Sequence, residues 1–419
     1  MTTVDGVSPG APTAAVQFLG REGMYWRLRI KGAALLVLTL GIYRFWFATD
    51  VRRYLWSHVE IGGETLEYTG LATELLGGFL LAVAILVPLY TAIAGVALAF
   101  DAAEEATAAI VFVLVVLLGQ FALYRARRYR LSRTVFRGVR FNQHGSAWPY
   151  AVYALMWWTL VAVTLGLAYP WAQASLQRYK MRHTSYGDLP GEFEGTGSAL
   201  FLRGLPLWLL VVGPIVIAFL ALAAMINWDA LNGMVADSEN NPLGLLVGNI
   251  GMRVLVIGGA AIGASIVAAM LLYPLFQALM LRWWISGLRF GAVTVTSRLR
   301  TGQVYRIYLR FILFVLLFVL VVAAGGALAV FVSSALAGQH HDSALAEVFA
   351  SAITLGLYVV IALGVSTIYQ VVVTFAMWQL GAQSAELAGA DALDCVRASG
   401  APSSALGEGL ADALGVGGI

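Results

Sequence analysis

The chain contains six runs of apolar residues that are each long enough to cross a lipid bilayer as a helix, which takes about 20 residues for roughly 30 Å of hydrocarbon. Only 12% of the 419 residues are charged, against about 25% in an average soluble domain. This composition excludes a soluble enzyme, a disordered chain and a secreted disulfide scaffold, so the protein is an integral membrane protein. The runs are Leu80–Phe100, Ala108–Tyr124, Leu205–Ile226, Val254–Leu281, Phe311–Ala337 and Ser351–Leu380.

The charges of the connecting segments predict their orientation. The connectors Asp101–Glu105, Asn227–Asn241 and Gln339–Asp342 contain acidic residues or histidine but no lysine or arginine. The remaining connectors are rich in arginine, with seven arginines between Arg125 and Arg140. The positive-inside rule places arginine-rich connectors in the cytoplasm. We therefore expect a multi-pass protein of which both chain termini are cytoplasmic.

Two further apolar segments, Ala33–Ala48 and Tyr150–Gln173, are interrupted. Each contains the tripeptide Thr-Leu-Gly, which begins at Thr39 in the first and at Thr164 in the second. Because arginine-rich connectors lie on both sides of each segment, we expect each to enter from the cytoplasm, turn near the tripeptide and return as a re-entrant or interfacial hairpin. The alternative is a short, tilted crossing that breaks the charge rule.

The chain matches itself at an offset of 125 residues, which indicates an internal repeat. A weaker third copy follows Tyr273 and Pro274, so the sequence divides the membrane region into copies at about 18–135, 136–281 and 282–381. The matched pairs are Gly41 with Gly166, Trp46 with Trp171, Arg53 with Arg178, Tyr54 with Tyr179, His58 with His183, Gly62 with Gly187, Glu67 with Glu192 and Gly70 with Gly195.

Short segments with the alternation of β-strands follow the arginine-tyrosine pairs, at His58–Tyr68, Thr134–Phe141 and Ala292–Thr296. We expect cytoplasmic β-hairpins there, which are able to pair into one small sheet. An aromatic-x-Gly pattern recurs in or near them, where glycine suits a positive φ or a close backbone approach. The pairs are Phe18 and Gly20, Tyr68 and Gly70, Phe136 and Gly138, and Phe193 and Gly195.

The predicted fold is therefore an all-α polytopic membrane protein with six full transmembrane helices, two interrupted segments and small cytoplasmic β-hairpins. We expect a flexible leader at 1–17, a membrane domain at 18–381 and a mostly flexible cytoplasmic tail at 382–419. Within the tail, Leu406–Leu414 suits a short helix that docks on the protein or on a partner. Cys395 is the only cysteine, so no internal disulfide can form.

Several local motifs are similar to the signature of the YjgN family of bacterial inner-membrane proteins, over a region from about 18 to 380. They are Gly41-Ile42-Tyr43-Arg44-Phe45-Trp46, Arg52-Arg53-Tyr54, Tyr68-Thr69-Gly70 and Glu74-Leu75. The resemblance implies a location in the bacterial inner membrane. Because the family is defined as one of unknown function, the resemblance implies no catalytic residue, cofactor or substrate.

Four polar residues in or beside the apolar segments are candidates for a solute pathway. Arg44 is the only charge well inside an interrupted segment, and a charge at that depth is costly unless it is paired or hydrated. Arg44 either pairs with Glu74 in a polar cavity or reaches the membrane surface along its own side chain. Gln173 and Gln277 either line a pathway or form hydrogen bonds between helices.

Two clusters suggest binding chemistry, and each has a simpler explanation. Arginine guanidinium groups bind phosphate through two hydrogen bonds, so the basic cluster suggests an anionic-lipid or phosphate site, although a topology signal alone accounts for it. His58 and His183 lie near acidic residues, which suits either a metal or proton-handling site or local hydrogen bonds. The basic cluster consists of Arg125, Arg127, Arg128, Arg130 and Arg133.

Two functional classes remain open. The first is a transporter or channel-like protein for a small or lipid-like solute, because the duplicated interrupted segments enter from one side. The second is a non-transporting membrane scaffold or anionic-lipid-binding regulator, because the arginine-rich face lacks buried acids for ion coupling. The sequence contains no recognised catalytic, nucleotide or metal motif, so an enzyme is the least favoured class. We expect the bilayer as partner and no nucleic acid, while the sequence leaves the oligomeric state open.

Overall fold

The structure, a computed structural model, describes residues 13–99, 104–225, 252–337, 343–399 and 402–416. Most of the predicted leader, at 1–12, lies outside the described residues. So do the acidic connectors at 227–241 and 339–342 and most of the one at 101–105. Within the described ranges, six helices are long and apolar enough to cross a membrane, which confirms the sequence prediction. They are Ala72–Ala97, Glu105–Arg133, Gly197–Ala224, Val254–Ser286, Thr301–Ala329 and Ser351–Ser384.

Helices and β-hairpins alternate along the chain, so that a helix leads into each hairpin and another leaves it. The elements of the first half are β1 (Thr13–Phe18), α1 (Glu22–Leu38), α2 (Arg44–Ser57), β2 (Val59–Ile61), β3 (Glu64–Thr65), β4 (Glu67–Tyr68), α3 (Ala72–Ala99), α4 (Glu104–Arg133), β5 (Thr134–Phe136), β6 (Val139–Gln143), α5 (Ala147–Val163), α6 (Tyr169–Arg182), β7 (Thr184–Tyr186) and β8 (Leu189–Phe193). The second half contains α7 (Gly197–Met225), α8 (Gly259–Ser286), β9 (Leu288–Phe290), β10 (Val293–Ser297), α9 (Thr301–Ala337), α10 (Ser343–Ile368), α11 (Ala376–Ser384), β11 (Ala385–Ala388) and α12 (Leu406–Ala413).

The strands of the described ranges form one antiparallel sheet in the order β3-β2-β1-β11-β10-β9-β8-β7-β6-β5-β4. The two strands at the ends of this order, β3 and β4, are separated in the chain by Leu66 alone. The amide of Leu66 donates a hydrogen bond to the carbonyl of Val59 at 3.1 Å. The sheet therefore returns on itself as a ring, and the small hairpins predicted from the sequence are parts of a single structure.

The ring is tightly curved. The aromatic rings of Phe141 on β6 and Phe290 on β9 have centroids 6.1 Å apart, although β7 and β8 lie between those strands in the sheet. In a flat sheet, three strand spacings of about 4.8 Å would separate them. The curvature brings Val16, Val59 and Leu387 together in one hydrophobic core, and Phe290 packs against this core.

The first and last strands of the chain complete the ring together. β1 pairs with β11 through Ala14↔Leu387 and Ala15↔Glu386, and with β2 through Gln17↔Glu60. The sequence predicts a flexible leader over 1–17 and a mostly flexible tail after 381, but the structure places parts of both in the sheet. β1 and β11 are short, and short strands give weak sequence signals. They also pair with each other from opposite ends of the chain, so no local pattern shows the pairing.

The aromatic-x-Gly pattern places an aromatic ring over a glycine that follows it by two residues. A Cβ atom added at Gly195 would lie 2.6 Å from the Phe193 ring and 3.0 Å from the ring of Trp283. Gly138 differs, because it has φ +76° in the turn between β5 and β6. The pairs in which the ring covers the glycine are Phe18 and Gly20, Tyr68 and Gly70, and Phe193 and Gly195.

The two interrupted segments form short helical hairpins, α1 with α2 and α5 with α6. In each, the first helix ends in a left-handed turn, with Leu40 at φ 50° and Gly41 at φ 91°, and Leu165 at φ 49° and Gly166 at φ 91°. The Gly41 amide donates to the Leu36 carbonyl at 2.8 Å. This is the Schellman arrangement, which satisfies carbonyls at the end of a helix. Because both ends of each hairpin join the ring, each hairpin leaves and returns on the same side of it.

The threonine of Thr-Leu-Gly connects the two helices of each short hairpin. Thr39 Oγ1 donates to the carbonyl of Leu35 at 2.7 Å and accepts a hydrogen bond from the amide of Tyr43 at 3.0 Å. Thr164 Oγ1 accepts the equivalent hydrogen bond from the Ala168 amide, also at 3.0 Å. The threonine therefore links the last turn of one helix to the residue that precedes the next helix.

Replacing Gly195 by alanine should destabilise the protein by about 1–3 kcal/mol, because the added methyl group overlaps the ring of Phe193 and forces it to move. The matched control is Gly204→Ala, where a Cβ meets nothing within 4 Å. Thermal unfolding of the purified protein measures both changes. Equal unfolding temperatures for the two variants would show that the Phe193 ring does not require a glycine.

Candidate functional site

A cavity of ≈ 850 Å³ lies where the ring meets the helices. Strands from different parts of the ring line it, including Val59 of β2, Phe141 of β6 and Val295 of β10. Aromatic residues of the helices, among them Trp284 and Trp378, line the remainder. The cavity is therefore central, and the closure of the sheet creates it.

A small number of polar groups border this mostly apolar cavity. The amides of Gln177 and Gln277 and the hydroxyl-bearing side chains of Tyr308 and Thr374 are among the lining residues. Gln277 Nε2 donates to the hydroxyl of Tyr273 at 2.6 Å. An apolar cavity with a few fixed polar groups is typical of a small-molecule site.

A π-helical segment, Tyr369–Phe375, forms part of the cavity wall. Its residues Val371 and Val372 are buried, while Val373 and Thr374 border the cavity. π-Helical segments occur frequently at functional sites. No signal in the sequence distinguishes this segment, because its run of apolar residues does not differ from the α-helix around it.

The structure separates the four candidate pathway residues. Gln277 lines the central cavity, whereas Gln173 lies one helical turn before the lining residue Gln177. Arg44 forms an ion pair with Asp412, whereas Glu74 forms one with Arg133. The central cavity does not include either Thr-Leu-Gly turn among its lining residues; a separate apolar cleft of ≈ 400 Å³ borders Gly166.

The residues matched at the offset of 125 hold the helices to the connections beside them. Tyr54 Oη donates to the carbonyl of Arg21 at 2.8 Å, and Tyr179 Oη donates to that of Ser146 at 3.3 Å. The described residues contain no group of three or more histidine, cysteine or acidic side chains that could hold a metal ion. The tyrosines and the two histidines of these pairs instead contact backbone carbonyls. The other matched contacts are Arg53 with the carbonyl of Gly70, Arg178 with that of Gly195, His58 Nδ1 with the carbonyl of Tyr54 and His183 Nδ1 with that of Tyr179.

Arginines of the basic cluster contact other side chains of the protein. Arg127 donates to Gln143 Oε1 at 2.7 Å and to Thr184 Oγ1 at 2.8 Å. Arg133 pairs with Glu74 at 2.7 Å, and Tyr129 Oη donates to the same carboxylate at 2.7 Å. Arg130 lies 3.8 Å from Glu408. Arg125 and Arg128 border a separate small pocket.

The C-terminal helix α12 lies between α3 and α4 and carries a buried charge. The side chain of Glu408 is 4% exposed and forms an ion pair with Arg52, which is also 4% exposed. Gly407 and Gly409 allow the close approach, because a Cβ at either would overlap the backbone of Arg125 or of Gly78. The docked helix fits the prediction of a short helix at 406–414, but the buried ion pair was missed.

Lys180 on α6 is a half-buried cation next to other cations. Burial and the charges of Arg127 and Arg130 lower the pKa of Lys180 from 10.5 to about 7. The residue 125 positions earlier, Leu55, is fully buried. One of the two short hairpins thus carries an ionisable side chain where the other carries an apolar one.

Comparison with known proteins identifies one family. A family model described as "Bacterial protein of unknown function (DUF898)" matches residues 13–413. No curated protein matches the chain. No solved structure matches it either.

Replacing Glu408 by glutamine should cost about 3–5 kcal/mol, because the positive charge of Arg52 then stays buried without its counter-charge. Thermal unfolding and proteolysis of the C-terminal segment measure the loss. The control is Asp394→Asn, which removes the partly exposed pair with Arg137 and should cost less than about 1 kcal/mol. If both variants unfold at the same temperature, the buried pair does not hold α12 in place.

Lys180→Leu should stabilise the protein most at and below neutral pH. Because the folded-state pKa is lower than the unfolded one, the unfolded chain binds more protons between pH about 7 and about 10.5, and stability rises with pH through that window. The variant should lose this rise. Unfolding temperatures across the window test it, with Arg182→Leu, at an exposed position, as the control. An unchanged pH profile would contradict the lowered pKa of Lys180.

Proposed function

The chain belongs to the DUF898 family of bacterial proteins of unknown function, and on this premise we propose that it binds a small amphipathic, lipid-like solute in its central cavity and carries it across the bacterial inner membrane. The motifs around Gly41 support the narrower assignment to the YjgN family. The single observation that carries the proposal is the cavity of ≈ 850 Å³ at the junction of ring and helices.

The chemistry of the cavity wall supports an amphipathic solute. Tryptophan and aliphatic side chains supply apolar surface, whereas the amide of Gln277 and the hydroxyl of Tyr308 supply hydrogen-bonding groups. Transfer of an alkyl chain out of water lowers the free energy by about 25 cal/mol per Å² of apolar surface buried. The polar groups of the cavity fix the orientation of the solute. The described lining residues include no acidic or basic side chain, which favours a solute that binds without a counter-charge.

We also propose that the ring is cytoplasmic and that the two short hairpins enter the membrane from it and return. The arginine-rich connectors coincide with the junctions of helices and ring, and the charge rule places these in the cytoplasm. The equal boundaries of α1 with α2 and of α5 with α6, at an interval of 125 residues, support an origin by internal duplication.

A non-transporting scaffold or anionic-lipid-binding regulator is the second candidate. The observation that favours it is the internal neutralisation of charges: Arg44, Arg52 and Arg133 are all paired with carboxylates of the same chain. A protein held closed by such pairs suits a structural role. Measuring binding and flux separately distinguishes the two candidates.

Gly381→Phe should fill part of the cavity and reduce binding of an amphipathic solute by about tenfold or more, because Gly381 lines the cavity. The probe is a photoreactive twelve-carbon alkyl glucoside, an uncharged amphiphile, with the labelled residues mapped by mass spectrometry. The matched control is Gly356→Phe on α10, where a Cβ meets nothing within 4 Å. Labelling should fall in Gly381→Phe and stay unchanged in the control.

Flux of the same glucoside into proteoliposomes completes this test. Labelling of the cavity together with flux that Gly381→Phe abolishes supports the carrier. Labelling without flux supports the non-transporting candidate. If the glucoside labels only lipid-facing residues, such as Leu355 with 65% exposure, the cavity does not bind amphipathic solutes and the proposal is wrong.

Sidedness is tested by labelling single cysteines in cells after Cys395 has been replaced. Cysteines at Thr39 and Thr164 should react only from the cytoplasmic side, because both short hairpins start and end at the ring. A cysteine at Ser238, in the predicted outer connector, serves as the outside control. Labelling of Ser57→Cys or Ser185→Cys from outside would contradict the cytoplasmic ring.

A further inference from the structure

The pocket beside Arg125 and Arg128 differs from the rest of the basic cluster. It has a volume of ≈ 150 Å³ and is lined by Arg125, Arg128, Ser403 and Ser404. It is thus larger than the roughly 30 Å³ that one water molecule occupies in the liquid. Two guanidinium groups and two serine side chains surround it, and all of these can donate hydrogen bonds.

The two arginines of this pocket lack a counter-charge among the described residues. None of the ion pairs there includes Arg125 or Arg128. The Nε atom of Arg128 is buried and has no hydrogen-bond partner there. Arg125 donates only a long bond of 3.4 Å to Ser404 Oγ. Two adjacent cations repel each other, and a buried donor without a partner also raises the free energy of the folded state. An anion between the two guanidinium groups offsets both effects.

The C-terminal segment completes the pocket. The amide of Ser403 donates to Ser132 Oγ at 3.2 Å, and the hydroxyl oxygens of Ser132 and Ser403 lie 2.9 Å apart. These bonds fix the Ser403–Ser404 backbone against α4. Ser132 follows Arg128 by four residues and Arg125 by seven. The pocket therefore exists only when the segment that leads into α12 is docked.

An aromatic pair near the pocket marks a membrane surface. Trp148, which is 50% exposed, packs against Phe121 with ring centroids 4.6 Å apart and ring planes tilted by 40°. Phe121 precedes Arg125 by one turn of α4. Tryptophan is enriched where lipid headgroups meet the hydrocarbon layer, so the pocket lies at a depth that a headgroup phosphate can reach.

We propose that Arg125, Arg128, Ser403 and Ser404 form a binding site for a phosphate group, carried by a phospholipid headgroup or by a soluble phosphate. Planar guanidinium groups match phosphate oxygens through paired hydrogen bonds, and serine hydroxyls complete the shell. The site lies apart from the central cavity and does not depend on the function proposed for that cavity.

The test uses the full chain in nanodiscs of neutral phosphatidylcholine, with phosphatidic acid and inorganic phosphate as the two probes. Native mass spectrometry and the rise in unfolding temperature measure binding. Arg125→Gln with Arg128→Gln should weaken binding by about tenfold or more, because each charge-assisted bond contributes strongly. Arg182→Gln with Arg300→Gln removes the same charge from exposed positions and should leave binding unchanged.

Ser403→Ala with Ser404→Ala keeps both charges and should weaken binding severalfold, which tests the site even if the arginine variant does not fold. Binding of phosphatidic acid alone identifies a lipid headgroup as the ligand. Binding of both probes identifies the phosphate group itself. Equal binding by the wild type and both pocket variants, or no binding of either probe by the wild type, would overturn the proposal.

Discussion

Closure of the β-sheet is the constraint on which the rest of the structure depends. A strand at an open edge exposes unpaired amides and carbonyls, and such edges promote aggregation. Here the order of the described strands begins at β3 and ends at β4, which Leu66 joins directly. Closure also requires β1 and β11, from opposite ends of the chain, to pair with each other. The ring therefore forms only when the whole chain has folded.

The ring in turn explains the lengths of the helical hairpins. Each helical hairpin begins and ends at the ring, so it can be long enough to cross a bilayer or short enough to turn within it. The 17 residues of α1 span about 26 Å at about 1.5 Å per residue, which is less than the roughly 30 Å of hydrocarbon. A Schellman turn at Leu40-Gly41 ends it there. The helices that lead into the ring then enclose the central cavity with its strands.

Several parts of this arrangement follow from the sequence. The six long helices follow from hydropathy, and the Thr-Leu-Gly turns and the hairpin glycines follow from local chemistry. The cavity residue Gln277 was a candidate because it lies within an apolar run, where an amide either lines a pathway or forms a hydrogen bond between helices. Long-range pairings could not be predicted. Neither the contact of β1 with β11 nor the ion pair of Arg52 with Glu408 leaves a local pattern, because each joins residues more than 300 positions apart.

A pair of cysteines placed across the β1–β11 junction tests the ring most directly. Ala15 and Glu386 are paired in register, and paired antiparallel residues have the Cα spacing that a disulfide needs, about 4.4–6.8 Å. After Cys395 has been replaced, Ala15→Cys with Glu386→Cys should form an intramolecular disulfide in membranes, detected by mass spectrometry. Ala15→Cys with Asn142→Cys, on the distant strand β6, should not. A folded protein that forms no disulfide at Ala15 and Glu386, or forms it equally in the control pair, would contradict the closed ring.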